Sequence, residues 1–247
     1  HDTLVGDYEV MVRQTVRNDT YFFAKIFKTN VSDARFKSLI YKNVKPKNKE
    51  ERYVLNFKQA FIKIHEDINT FNLLATEIQD LLRFLYNEVL NTPKTQFRKI
   101  NRKERNVNLL TSKNQSTRES LDQLIQLFGK AVESDEYEIS YLIMNFYIDF
   151  INIKPFPVNN EEIGLMVMYI LLLTNGFEVY DCISFMERVY LRINEFDGAV
   201  VKSSFNWEIG YAQILPLHKF VLSISLGAYQ TLNDLVRDYE FDKQLNK

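Results

Sequence analysis

Glycine is scarce. The 247-residue chain has seven, and none falls in a Gly-rich phosphate loop of the dinucleotide or Walker type. Cysteine occurs once, as Cys182, so no intrachain disulfide can form and a reducing compartment, the cytoplasm, is the expected location. Only two histidines, His65 and His218, lie inside the chain. Neither has a second His or Cys at metal-ligand spacing, so no metal site is expected. An excess of basic charge is also missing: 31 Lys and Arg face 32 Asp and Glu, which argues against a dedicated nucleic-acid binder. Long apolar runs are absent too. The longest uncharged stretch, Ile163 to Phe177, is shorter than the ~20 residues of a membrane span and reads as a buried core helix.

What is present is hydrophobic and aromatic content of 46% and 14%, enough for a large core and too much for disorder. Its period is helical. Val54, Phe57, Phe61, Ile64 and Ile68 mark one helix face, and Leu74, Ile78, Leu81, Leu82, Leu85 and Val89 a second. Leu121, Leu124, Ile125, Phe128 and Val132 mark a third, which opens on Ser116-Thr117-Arg118-Glu119 with capping-box spacing. Tyr137 to Ile151 and Ile163 to Leu173 are apolar on nearly every face, as helices covered by neighbours are. Strand signals are confined to Asn106-Val107-Asn108-Leu109-Leu110-Thr111, which reads as a small hairpin. The expected fold class is all-α: an N-terminal helical arm over 1–72 packed against a helical domain over 73–240, as one compact unit.

The two buried helices flank a polar loop from Asn152 to Asn160 containing Pro155 and Pro157. The run Phe150-Ile151-Asn152-Ile153-Lys154-Pro155-Phe156-Pro157-Val158-Asn159-Asn160-Glu161-Glu162-Ile163-Gly164-Leu165 resembles the Fic (Fido) family, whose pattern here is His-Pro-Phe-x-Asp/Glu-Gly-Asn-Gly-Arg-x-x-Arg. Tyr53-Val54-Leu55-Asn56-Phe57-Lys58-Gln59-Ala60 is similar to that family's Val-x-Asn-aromatic-x-x-Ala helix start. Ser203 to Tyr229, with Trp207, Gly210, Leu215-Pro216-Leu217 and Leu226-Gly227-Ala228-Tyr229, is similar to its C-terminal helices.

The resemblance implies a helical core and a loop whose backbone N–H groups hold nucleotide phosphates at a helix N-terminus. In the family a His takes the proton of a target hydroxyl that attacks the α-phosphorus, an acid holds Mg²⁺, and arginines neutralise the outer phosphates. Lys154 stands at the His position, and a lysine amine is protonated at neutral pH unless strongly desolvated. Pro155, Phe156 and Asn160 persist. Val158 replaces the metal-holding acid and Asn159 the first glycine. Glu161 and Glu162 replace the second glycine and first arginine, and Leu165 the second arginine.

Two carboxylates in a helix's first turn complement its dipole by about 0.3–1 kcal/mol each, and repel a polyanion there. The segment from Asp33 to Asn43 is similar to the family's inhibitory helix. Depending on register, its glutamate position falls on Tyr41 or on Lys42, with Ser38 retained. Lys42 is thereby a candidate ion-pair partner of Glu161 or Glu162. Lys94, Arg98, Lys99, Arg102, Lys103 and Arg105 make a basic stretch that reads as a solvated loop, with contact to an anion as the alternative. His65 shows no partner in the sequence, and His218 is expected packed or at a rim. Asp181 beside Cys182 raises a thiol pKa, so Cys182 is expected to be structural.

These residues together favour a binding or regulatory module that keeps the scaffold without nucleotide transfer, with no cofactor. Its expected partner is a protein or peptide, docked by strand pairing at 106–111. The alternative is a diverged transferase using ATP and Mg²⁺ with Lys154 as base. A nucleic-acid partner and a membrane are not expected, and the oligomeric state stays open.

Overall fold

The computed structural model describes residues 7–42, 44–99, 109–111 and 116–245. Among them the regular structure is entirely helical, in ten α-helices joined by short 3-10 turns, with no strand. In chain order these are α1 (Tyr8–Ile26), α2 (Asp33–Lys42), α3 (Lys49–Glu66), α4 (Ala75–Leu85) and α5 (Thr117–Ser134). Then come α6 (Ile139–Ile153), α7 (Asn160–Thr174), α8 (Phe185–Leu191), α9 (Ile193–Ser204) and α10 (Leu215–Leu245).

The periodic stretches become helices, and their capping residues set where they begin. Asn48 accepts the Glu51 N–H at the start of α3. Ser116 and Glu119 close the reciprocal capping box at the start of α5. Two of the apolar patterns outrun their helices. Leu74 is the N-cap of α4 and Val89 lies beyond its end, while Ile68 falls in a 3-10 turn after α3. The expected hairpin is corrected in its described part: Leu109–Thr111 is a 3-10 turn with Leu110 buried, and residues 106–108 lie outside the described residues.

α6 and α7 form the centre. Of the 15 residues of α7 only Glu161, Glu162 and Thr174 are not buried. Gly164 lets the two helices approach closely. A Cβ there would stand 2.9 Å from the Ile151 side chain and 3.1 Å from that of Phe150. α5, α9 and α10 pack around α6, and α1 lies across α3 and α8. Phe23 of α1 meets Phe57 and Phe61 of α3 edge-on, at 4.7 and 5.7 Å between ring centroids. Residues on both sides of Asn72 enter one contiguous core. No helix among the described residues is long and apolar enough to cross a membrane.

Candidate functional site

The loop between α6 and α7 is held from three sides. α6 ends on Lys154, whose backbone is left-handed at φ +50°, a conformation usually left to glycine at a helix C-terminus. The carbonyls freed there are taken by Arg98, whose Nε donates to the Lys154 oxygen at 2.9 Å and Nη2 to that of Ile153 at 3.2 Å. The Arg98 backbone N–H donates to the Pro155 carbonyl at 2.7 Å. The Thr117 hydroxyl bridges the Arg98 and Pro155 carbonyls at 2.8 and 3.1 Å. Phe156 is fully buried and stacked on Phe97 with 5.3 Å between centroids.

Asn160 closes the turn from inside. Its amide oxygen accepts the Phe156 N–H at 3.0 Å, and its amide nitrogen donates to the Phe156 carbonyl at 2.9 Å. Both of the buried phenylalanine's backbone polar groups are satisfied by one side chain. Asn159 sits at φ +61°, in the left-handed region that asparagine tolerates better than most residues other than glycine. The position where the Fic pattern has its first glycine therefore keeps a glycine-like backbone.

The electrostatics at the α7 N-terminus are anionic. The Glu162 side chain is turned onto the loop, where its carboxylate accepts a hydrogen from Asn159 Nδ2 at 2.9 Å. The same amide group donates to the Tyr86 hydroxyl, which is bonded in turn to the Tyr53 hydroxyl. Burial pushes the Glu162 carboxyl above its usual range; its own backbone N–H and Asn159 partly offset this, and Glu161 adds to it. Burial also raises the hydroxyl pKa of Tyr147, reinforced by Glu161, Asp197 and Glu162. Among the described residues neither Glu161 nor Glu162 forms an ion pair. No group of three or more His, Cys, Asp or Glu among those residues is placed to hold a metal ion. With Val158 at the acid position, the loop itself offers no carboxylate for Mg²⁺.

The structure brings together Pro155, Phe156, Asn159, Asn160 and Glu162, and buries Leu165 in the core. Lys154, Pro157 and Glu161 are exposed. α2 does not meet the loop's charges. The Ser38 hydroxyl bonds back to the Ala34 carbonyl at 3.1 Å, and half-exposed Tyr41 lies under the Arg17 guanidinium at 4.9 Å. Lys42 is exposed and makes no ion pair with Glu161 or Glu162, which corrects that expected contact.

Arg98 is the residue sequence reasoning misplaced. It belongs to the basic stretch read as a solvated loop, yet it clamps carbonyls more than 50 positions away. Residues 100–108 lie outside the described residues, so Arg102, Lys103 and Arg105 do as well. The resemblance at α3 has a structural content: Asn56 Nδ2 donates to the Leu85 and Asn87 carbonyls, both at 2.9 Å, and holds the end of α4. In the C-terminal segment, Trp207 Nε1 donates to half-buried Asp149 at 2.7 Å. Burial pushes that carboxyl up to about 6. His218 bonds the Ser140 hydroxyl at 2.8 Å, and burial lowers its pKa. Burial, aided by Asp181, pushes the Cys182 thiol up to about 11, away from the reactive thiolate.

Three solved structures share this fold. A Fic family protein from Desulfovibrio desulfuricans superposes with a TM-score of 0.64 at 12% identity, over 90% of this chain and 66% of that one. A Fic domain-containing signaling protein from Bacteroides thetaiotaomicron does so with 0.67 at 14%, over 95% of this chain and 91% of that one. Fic-1 from C. elegans gives 0.64 at 11%, over 95% of this chain and 65% of that one. The chain thus spans about two thirds of the first and third and most of the second. No family model matches the sequence, and no curated protein does. The fold is Fic-like.

Proposed function

We propose that this Fic-like chain is a binding or regulatory module that has kept the loop's shape and given up nucleotide transfer. The observation that carries this reading is the Glu162 carboxylate, seated in the first turn of α7 on Asn159 with no cation paired to it among the described residues. A helix N-terminus normally draws an anion from outside, and here the chain supplies its own. A like charge at 4 Å costs about 4 kcal/mol at an effective dielectric of 20, and a triphosphate multiplies the repulsion. The exposed amine of Lys154 gives little support to the transferase alternative. The ligand proposed in place of a nucleotide is a protein or peptide.

The test is transfer itself. Purified protein is incubated with α-labelled ATP, Mg²⁺ or Mn²⁺ and a cell lysate as a source of hydroxyl-bearing proteins. No protein should become labelled beyond a no-enzyme control. Label that appears with wild type and disappears with Lys154→Ala overturns the reading in favour of the transferase.

A further inference from the structure

Away from the loop, α7 carries a second polar residue, Tyr169, fully buried in its third turn. Its hydroxyl lies 3.0 Å from Asp19 Oδ2 of α1 and 2.8 Å from His65 Nε2 of α3. His65 Nδ1 is 3.1 Å from Asp181 Oδ1, and the Tyr8 hydroxyl donates to Asp181 Oδ2 at 3.0 Å. The other Asp19 oxygen accepts the Ser184 hydroxyl at 2.6 Å and the Met186 N–H at 2.9 Å, at the start of α8. Asp19 is completely buried, and the His65 side chain is 3% exposed.

Counting hydrogens along this path leaves few arrangements. Tyr169 has one proton to give and cannot donate to Asp19 and to a bare Nε2 together. One complete arrangement has Nε2–H donating to Tyr169, Tyr169 donating to an Asp19 carboxylate, and Nδ1–H donating to Asp181. The other has an Asp19 carboxylic acid donating to Tyr169, Tyr169 donating to Nε2, and again Nδ1–H on Asp181. They hold the same number of protons and interconvert when two protons each move across one hydrogen bond. With one proton fewer, one junction must lose its hydrogen, at the cost of an unmet buried group.

We propose that Asp19 and His65 share one proton through Tyr169, and that this shared proton fastens α1 onto α3, α7 and α8. Burial pushes the Asp19 carboxyl up to about 6, which keeps its neutral form within reach. The other charges around His65 are Glu9, Arg13 and Arg17 of α1 and Lys58 and Glu66 of α3. Together with His65 and Asp181 they line a cavity of about 700 Å³.

In a neutral imidazole the bond made by one nitrogen sets which one carries the proton. Both arrangements require it on Nδ1, because Asp181 can only accept. The test is nitrogen NMR at pH 7 on the full chain labelled with ¹⁵N-histidine, assigned with His218→Gln and His1→Gln. A proton on Nδ1 of His65, protected from solvent exchange, is the expected result. An unprotonated Nδ1 overturns the proposal. In Tyr169→Phe, amide hydrogen exchange in α1 should quicken about tenfold, since one buried junction is lost. Unchanged exchange there overturns the fastening role, and if that variant fails to fold the labelled wild type decides.

Discussion

Two polar regions meet α7, and their charges are balanced in opposite ways. At the helix start, Glu161 and Glu162 stand without an ion pair among the described residues, and burial works against the Glu162 carboxylate. At Tyr169, each group has a partner: Asp19 is bonded to Tyr169, Ser184 and the Met186 N–H, and His65 is bonded at both ring nitrogens. The second arrangement holds helices together. The first adds little to the fold beyond capping a dipole. A polar residue that joins helices is matched, and one at an exposed helix start need not be.

Substitutions at the two regions should therefore differ in size, and the largest effect belongs to Asp19. Asp19→Ala leaves the Tyr169 and Ser184 hydroxyls and the Met186 N–H without their acceptor. It should lower the unfolding free energy by roughly 3–5 kcal/mol in a denaturant titration. A loss below ~1 kcal/mol would place this network beside the loop as dispensable.

Next comes the helix contact that both regions rely on. Gly164→Ala puts a methyl group against Ile151, Phe150 and Tyr147 and should cost about 1–3 kcal/mol, read as a lower melting temperature.

The pH dependence sharpens the comparison further. Asp19 and Asp149 are both raised from 3.8 to about 6, so folding favours their protonated forms. For Asp149 the contribution is fully present below about pH 4 and is lost as pH rises to about 6 and beyond, which makes the ionised group a burden at neutral pH. Asp149→Asn keeps an oxygen for Trp207 and should be relatively more stable at pH 7.5 than at pH 4.5, by about 2 kcal/mol between the two. An equal effect at both pH values would remove burial as the cause.

The smallest effect is expected at the loop. Glu162→Gln keeps an acceptor for Asn159 and removes a charge that burial disfavours. Its melting temperature should rise slightly at pH 7, and the gain should shrink as the pH falls through the carboxylate range.

Much of the helical fold was legible in spacing alone. The faces of α3, α4 and α5 repeat every three or four residues, and the Ser116–Glu119 box marks where α5 starts. The loop's shape was not legible: Asn159 read only as a replaced glycine and Asn160 as a retained asparagine, and neither φ +61° nor the two hydrogen bonds to Phe156 follow from local spacing. Arg98 was not legible, since no periodicity links it to carbonyls at 153 and 154. The partners of His65 lie 104 and 116 positions away and were hidden for the same reason. The stretch ending at Thr111 suggested a strand, but Leu109–Thr111 turns in a 3-10 helix next to α5 with Leu110 in the core.

Under the proposed function, the loop keeps the backbone of a phosphate site and Glu162 excludes the phosphate. Titration calorimetry with ATP and Mg²⁺ tests it most directly, on wild type and on Glu161→Gly/Glu162→Arg. No heat from wild type at millimolar ATP, with measurable binding by the double variant, is the predicted result. Micromolar binding by wild type, about 8 kcal/mol, would contradict the account and make this a working nucleotide site.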